Sequence, residues 1–203
     1  MRYPKDHGQH TRRRIVESAS RGLRQAGADG LSVADLMKLA NLTHGSFYAY
    51  FRSRDALVVE GLALAMDRTI VHWLSLTQGL PAAKGFDALV ESYLSDRHRD
   101  DPGRGCALPA LAADIGRSGP EARRTLERGL GKMIDIIARL TAARPSSDAR
   151  QTAAGAIATM VGSIVLARAV DYKRLSDFLL EAGRQALGNP VASDCERMHS
   201  ADG

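Results

Sequence analysis

The residues with most chemical potential lie in the stretch THGSFYAYF, Thr43 to Phe51. If it is helical, Phe47 and Phe51 fall four apart and pack inward. That leaves Thr43, His44, Gly45, Ser46, Tyr48 and Tyr50 on the opposite side, a face of small and hydroxyl-bearing groups. Such a face fits the DNA major groove, where each base pair presents its own donor and acceptor pattern. Gly45 would let the backbone approach closely. A second candidate is Cys106, in RGCALPALAADI, at an expected helix start with Arg104 beside it. Both features lower a thiol's pKa and favour the thiolate, whereas a small buried apolar residue is the competing reading. Asp96, His98, Asp100 and Asp101 read as a solvated, flexible loop rather than a metal site. His72 has no ligand-type residue four positions on and reads as an ordinary helix residue. There is no phosphate-cradling glycine loop, no serine nucleophile elbow and no CxxC pair, and Cys106 and Cys195 are far apart. No catalytic residue, metal or cofactor is expected.

The elements that must position these groups are helices. No alternating apolar and polar run persists, while apolar residues recur every three or four positions. Ile15, Ala19, Leu23 and Ala26 mark a first helix that Gly27 ends. Ser32 with Asp35 forms a capping box for a second, which buries Val33, Leu36, Met37 and Ala40. Thr43 caps a short third helix through Phe51, and Ser53 caps a long fourth running toward Gly79. A fifth is expected at about 84–99, followed by the loop RHRDDPGRG, and a sixth from near Cys106. Pro120 opens a seventh to about 143. An eighth runs from Ser147 or Asp148 to Val170, and a ninth from about 175 to 187. The fold class is all-α: a three-helix helix-turn-helix unit (1–55), a larger helical bundle (56–188) and a polar, disordered tail (189–203), about nine helices in all.

Composition supports this. Of 203 residues, 44% are hydrophobic and 25% charged, enough apolar material for a core and too much for global disorder. Aromatics are only 5%, which favours helix over sheet. The net charge is +5 and is uneven: residues 1–60 carry +4 and the remainder +1, so the first 60 residues are the candidate polyanion surface. Arg12, Arg13 and Arg14 would contact phosphates from the start of the first helix, or form its solvated face. The longest apolar run, Ala156 to Ala167, is shorter than the ~20 residues that cross a bilayer. With no targeting segment in view, a cytoplasmic protein without a membrane partner is expected.

The stretch LSVADLMKLANLTHGSFYAYFRSRDAL, with TRRRIVESASRGLRQAG before it, closely resembles the DNA-binding signature of TetR-type (TetR/AcrR) transcriptional regulators. The resemblance implies phosphate contacts from Ser32, Tyr48 and Tyr50, and base or adjacent phosphate contacts from Thr43, His44, Gly45 and Ser46. Arg54 stands where the family usually has lysine and keeps its charge; Tyr50 stands where histidine is common. The resemblance further implies a homodimer through the last two helices, a palindromic double-stranded DNA operator and a small-molecule effector, most often acting as a repressor. Gly155 and Gly162, on an eighth helix that is apolar nearly all round, suit a close dimer seam. Trp73, Phe86, Tyr93, Met133 and Met160 could line an effector pocket, plain core packing being the competing reading. The Gly-Cys pair at Cys106 looks like that of a subgroup sensing electrophiles or oxidants, with Lys173 as a possible nitrogen partner. Two other readings remain open on the sequence: an effector-free DNA-binding dimer, whose bundle would be solid, and an all-α enzyme or ligand carrier, which would show no salt-dependent duplex binding.

Overall fold

In the computed structural model, which describes residues 5–141 and 148–188, the described residues form helices joined by short turns and contain no strand. Helix α1 (Lys5–Ala26) begins earlier than its apolar repeat suggested, so Arg12 to Arg14 lie two turns inside it. Gly27 ends it with φ +82°, a left-handed conformation that glycine adopts without penalty. Helix α2 (Val33–Leu39) has the capping box expected: Ser32 accepts from the Asp35 amide, and the Asp35 carboxylate accepts from the Ser32 amide. The next element, His44–Ala49, is a 3₁₀ helix rather than an α-helix. Thr43 stands at its N-cap without a side-chain bond; instead the Ser46 hydroxyl donates back to the Thr43 carbonyl.

Helix α3 (Arg54–Thr77), capped by Ser53, joins the two ends of the molecule. Its first half packs on α1, where Leu57, Leu62, Ile15, Ala19 and Leu23 are fully buried. Gly61 sits at that crossing: a Cβ there would meet Ser20 and Leu23 at 3.3 Å, so its absence sets the approach of the two helices. The second half carries Met66, Ile70 and Trp73 into the bundle, against α7 (Pro120–Thr141) and α4 (Ala82–Tyr93).

The single helix expected over 84–99 is two. Leu94 breaks it, and Ser95 caps a separate turn, α5 (Asp96–Asp100), by accepting from the His98 amide. The expectation of a solvated, flexible loop here fails for the same reason: Arg99 is buried and bonded to Asp177 and Ser176 of α9 (Lys173–Gly188). Arg168 of α8 (Ala149–Ala169) donates to the backbone carbonyls of His98 and Arg99. Helix α6 (Leu108–Arg117) follows, with Pro109 in its first turn. Asp148 caps α8, accepting from the Arg150 and Gln151 amides. The expected end of the seventh helix near 143, the alternative cap Ser147, Cys195 and the expected disordered tail fall outside the described residues.

Helices α8 and α9 pack on each other, Gly183 closely against Ser163. Each also turns an apolar face to solvent. On α8 that face includes Ala154, Gly155, Ala158, Val165 and Leu166; on α9 it includes Leu175 and Phe178, the latter 65% exposed.

Candidate nucleic-acid interface and effector cavity

The 3₁₀ helix is held from below by its aromatic residues. Phe47 and Phe51 are buried and stacked with ring centroids 5.8 Å apart, and the Arg12 guanidinium lies 4.7 Å over the Phe51 ring. What remains outward is the face read from the sequence. Thr43, His44, Gly45 and Tyr48 are exposed, Tyr48 by 71%, while Ser46 and Tyr50 are half-buried. Around Gly45 a Cβ would meet nothing within 4 Å, so the element stands clear of the fold. Ser32, at the start of α2, is exposed as well.

The cations around this face are not equivalent. Arg12 is committed to Glu60 and to Phe51, and Arg14 donates to the Ala40 carbonyl. Arg13 is exposed and has no ion pair among the described residues. Arg54 turns back and donates to the Leu31 and Ala28 carbonyls, tying α3 to the loop that enters α2. Its geometry is that of a positioning clamp as well as a positive charge.

A cavity of about 820 Å³ opens between α1, α3 and the 92–106 segment. Trp73, Tyr93 and Cys106 form one wall; Arg24 and Arg68 lie on the α1 and α3 sides. Trp73 and Tyr93 meet edge to face at 5.9 Å, and Tyr93 meets His98 in the same way at 4.4 Å. The His98 Nδ1–H donates to the Tyr93 carbonyl (2.7 Å), and Nε2 accepts from the Cys106 amide (3.0 Å). A carbonyl can only accept and an amide only donate, so these partners fix the tautomer. Burial pulls the His98 pKa down to about 4, against a partial rise from the Tyr93 carbonyl. His98 is therefore neutral, its lone pair is in use, and it positions Cys106 rather than deprotonating it.

Burial also pushes the Cys106 thiol up, opposed by the Leu108 amide, the Tyr93 and Thr69 hydroxyls and the Arg24 charge. This reverses the direction expected from a helix start and a neighbouring arginine. Desolvation of the thiolate outweighs both, and Arg104 is exposed and paired with Asp101. The Tyr93 hydroxyl is wholly buried, with the Cys106 thiol as its polar neighbour and no partner at full hydrogen-bond geometry.

Known proteins share this arrangement. Residues 15–60 match the family model for bacterial regulatory proteins of the tetR family. An uncharacterized HTH-type transcriptional regulator of Mycobacterium tuberculosis is 28% identical over 177 residues, spanning 79% of this chain and 85% of its own. The HTH-type transcriptional repressor NemR of Escherichia coli is 26% identical over 137 residues, 64% of this chain and 67% of its own. The crystal structure of reduced E. coli NemR superposes with a TM-score of 0.77 at 21% identity, covering 92% of this chain and 99% of that one. A TetR transcriptional regulator from Chloroflexus aurantiacus gives 0.78 at 23% identity, over 90% and 94%. Residues 15–60 thus resemble the tetR-family DNA-binding region, and the fold of the described chain is that of TetR-family regulators.

The residues expected in an effector pocket are brought together only in part. Trp73, Tyr93 and Cys106 line the cavity. Phe86, Met133 and Met160 are buried core that does not reach it. Lys173 lies outside it and holds Asp177 with both carboxylate oxygens within 2.9 Å. Sequence reasoning missed Arg24, Arg68 and His98. The i, i+3 spacing of Arg21 and Arg24 on an otherwise amphipathic helix was the available signal, because it sets arginine beside the buried stripe.

Proposed function

We propose that the protein is a homodimeric, cytoplasmic repressor with no catalytic role, which binds a palindromic operator and leaves it when a small molecule enters the cavity. Residues 1–55 form the DNA-binding unit and 56–188 the sensing and dimerising unit. Ser32, Tyr48 and Tyr50 contact phosphates; Thr43, His44, Gly45 and Ser46 read base edges or the adjacent phosphate. Arg54 serves this face as a clamp. The open apolar faces of α8 and α9 belong to the subunit seam. A two-fold dimer would set two recognition helices about one DNA turn, ~34–36 Å, apart.

The observation that carries the sensing part is the sharing of the cavity. Glu17, Ser18, Arg21 and Arg24 come from α1, which holds the DNA-binding unit, and Thr69, His72 and Trp73 come from α3. Arg24 of α1 donates to the Gly103 carbonyl in the segment between α5 and α6, and the Ala28 amide, just after α1, donates to Asp114 of α6. A ligand that reshapes the cavity therefore moves α1 and α3 together and changes the spacing of the recognition helices. A coupling of ~1–3 kcal/mol gives a change in operator affinity of several-fold to a hundredfold. Footprinting on the upstream region of the gene, repeated with candidate effectors, tests this. Protection unaffected by any ligand that fills the cavity contradicts it.

A second reading, covalent sensing at Cys106, is favoured by the place of the thiol on the cavity wall, and NemR was solved in a form described as reduced. An electrophile such as N-ethylmaleimide would add its alkene carbon to sulfur, with the thiol proton ending on the adjacent carbon. The raised thiol pKa predicts slow addition at neutral pH that accelerates with pH. An unmodified Cys106 by mass spectrometry of the folded protein would remove this reading.

A further inference from the structure

We infer that the cavity takes a small organic anion, a carboxylate on an aromatic or similarly flat apolar body; this rests on the cavity being the effector site. Five arginines line it (Arg21, Arg24, Arg68, Arg97 and Arg104) against two carboxylates, Glu17 and Asp101, leaving a net charge of +3. Both carboxylates are already engaged: Glu17 pairs with Arg68 at 3.2 Å and Asp101 with Arg104 at 3.4 Å. Arg24 is the informative member. It is 5% exposed, yet no carboxylate touches it. Its guanidinium is held by neutral acceptors, the Gly103 carbonyl and the Ser20 hydroxyl at 3.1 Å. Those three bonds leave two of the five donors of a guanidinium unused. A buried cation without a counter-charge is costly, and bidentate carboxylate recognition is what arginine geometry suits. Desolvation and the neighbouring Arg68 charge work against the charged form of Arg24, Arg21 adds to this, and Cys106 and Asp101 offset it only in part. An anion among these three groups removes a repulsion as well as making bonds.

The rest of the cavity says what the anion carries. Its other wall is Trp73, Tyr93 and Cys106, all buried and two of them aromatic. The volume is large for an inorganic oxyanion and within the range of drug-sized ligand sites. A bare inorganic anion would leave that wall uncovered, and a neutral aromatic would leave Arg24 unpaired.

The chain contains one tryptophan, Trp73, so its fluorescence reports the cavity directly. The full-length protein is titrated with 3-phenylpropanoate, with 3-phenylpropanamide as the neutral isostere, and with sulfate. The expected result is a Trp73 change with the carboxylate at least tenfold tighter than with the amide, and sulfate weaker than both. Arg68→Gln, at a half-exposed position, should lower the carboxylate affinity at least fivefold and leave the amide unchanged. Arg24→Lys should keep the protein folded and also lose the preference. Equal binding of acid and amide overturns the inference, as does sulfate matching the carboxylate, or no Trp73 response to any probe at millimolar concentration. Selective carboxylate binding that leaves operator affinity unchanged supports the ligand class and overturns instead the effector reading on which it rests.

Discussion

Protonating His98 should weaken the fold in acid by an amount the structure sets. The group is neutral because both ring nitrogens are engaged, Nδ1–H to the Tyr93 carbonyl and Nε2 from the Cys106 amide. Its pKa falls from 6.5 to about 4 on folding. Between those values the unfolded chain binds a proton that the folded chain does not, so stability falls as pH falls through this window. Above 6.5 the group contributes no pH dependence, and below 4 the loss is complete at roughly 3 kcal/mol. Between pH 7.5 and 4.5 the expected loss is about 2.5 kcal/mol. His98→Gln keeps polarity without titrating and serves as the reference, since every carboxylate pair that also responds to acid is common to both proteins. Urea unfolding at fixed protomer concentration and ionic strength gives the two profiles. The wild type should lose about 2.5 kcal/mol relative to His98→Gln across that range. Parallel profiles would refute the assignment of His98 as a buried neutral clamp.

Other consequences follow from individual contacts. Gly45→Val adds a side chain into open space, so stability should stay within ~0.5 kcal/mol while operator affinity drops at least tenfold; unchanged binding would take this face off the DNA. Arg13→Ala should reduce the salt slope of duplex binding by ~0.9, and Arg12→Ala should do so less, because Arg12 is already paired within the fold. Asp114→Ala removes the carboxylate that accepts from the Ala28 amide and pairs with Arg117, and should destabilise by ~1–2 kcal/mol in urea unfolding. Phe178→Glu places a charge on the open apolar face of α9 and should give monomers by light scattering at micromolar concentration.

Local features were readable because they depend on neighbours in sequence. The Ser32–Asp35 box, the inward pair Phe47 and Phe51, the Gly27 stop and the Asp148 cap each involve residues within a turn or two. The same locality explains the faults. A periodic run from 84 to 99 gives no sign that Leu94 ends one helix, because the second turn is stabilised from elsewhere, by Asp177 and Ser176 on α9. Cys106 looked activated from its flanking residues, but the direction of its pKa is set by desolvation in the folded chain, which outweighs the Leu108 amide and the Tyr93 and Thr69 hydroxyls. The cavity was half legible: its aromatic wall could be listed from residue types, whereas the arginines on α1 join it only through the packing of α1 on α3. The 3₁₀ winding of residues 44–49 is accompanied by Ser46 bonding back to Thr43, a choice that spacing does not distinguish from an α-helical turn.

The outward face of residues 43–50 is the claim on which the functional account depends, and footprinting on the upstream duplex across a salt series tests it most directly. The account predicts a two-fold symmetric protected region with half-sites about one helical turn apart, lost with rising salt and abolished by Gly45→Val in a protein that remains folded. Duplex binding that is absent, or unchanged by that substitution, would contradict it.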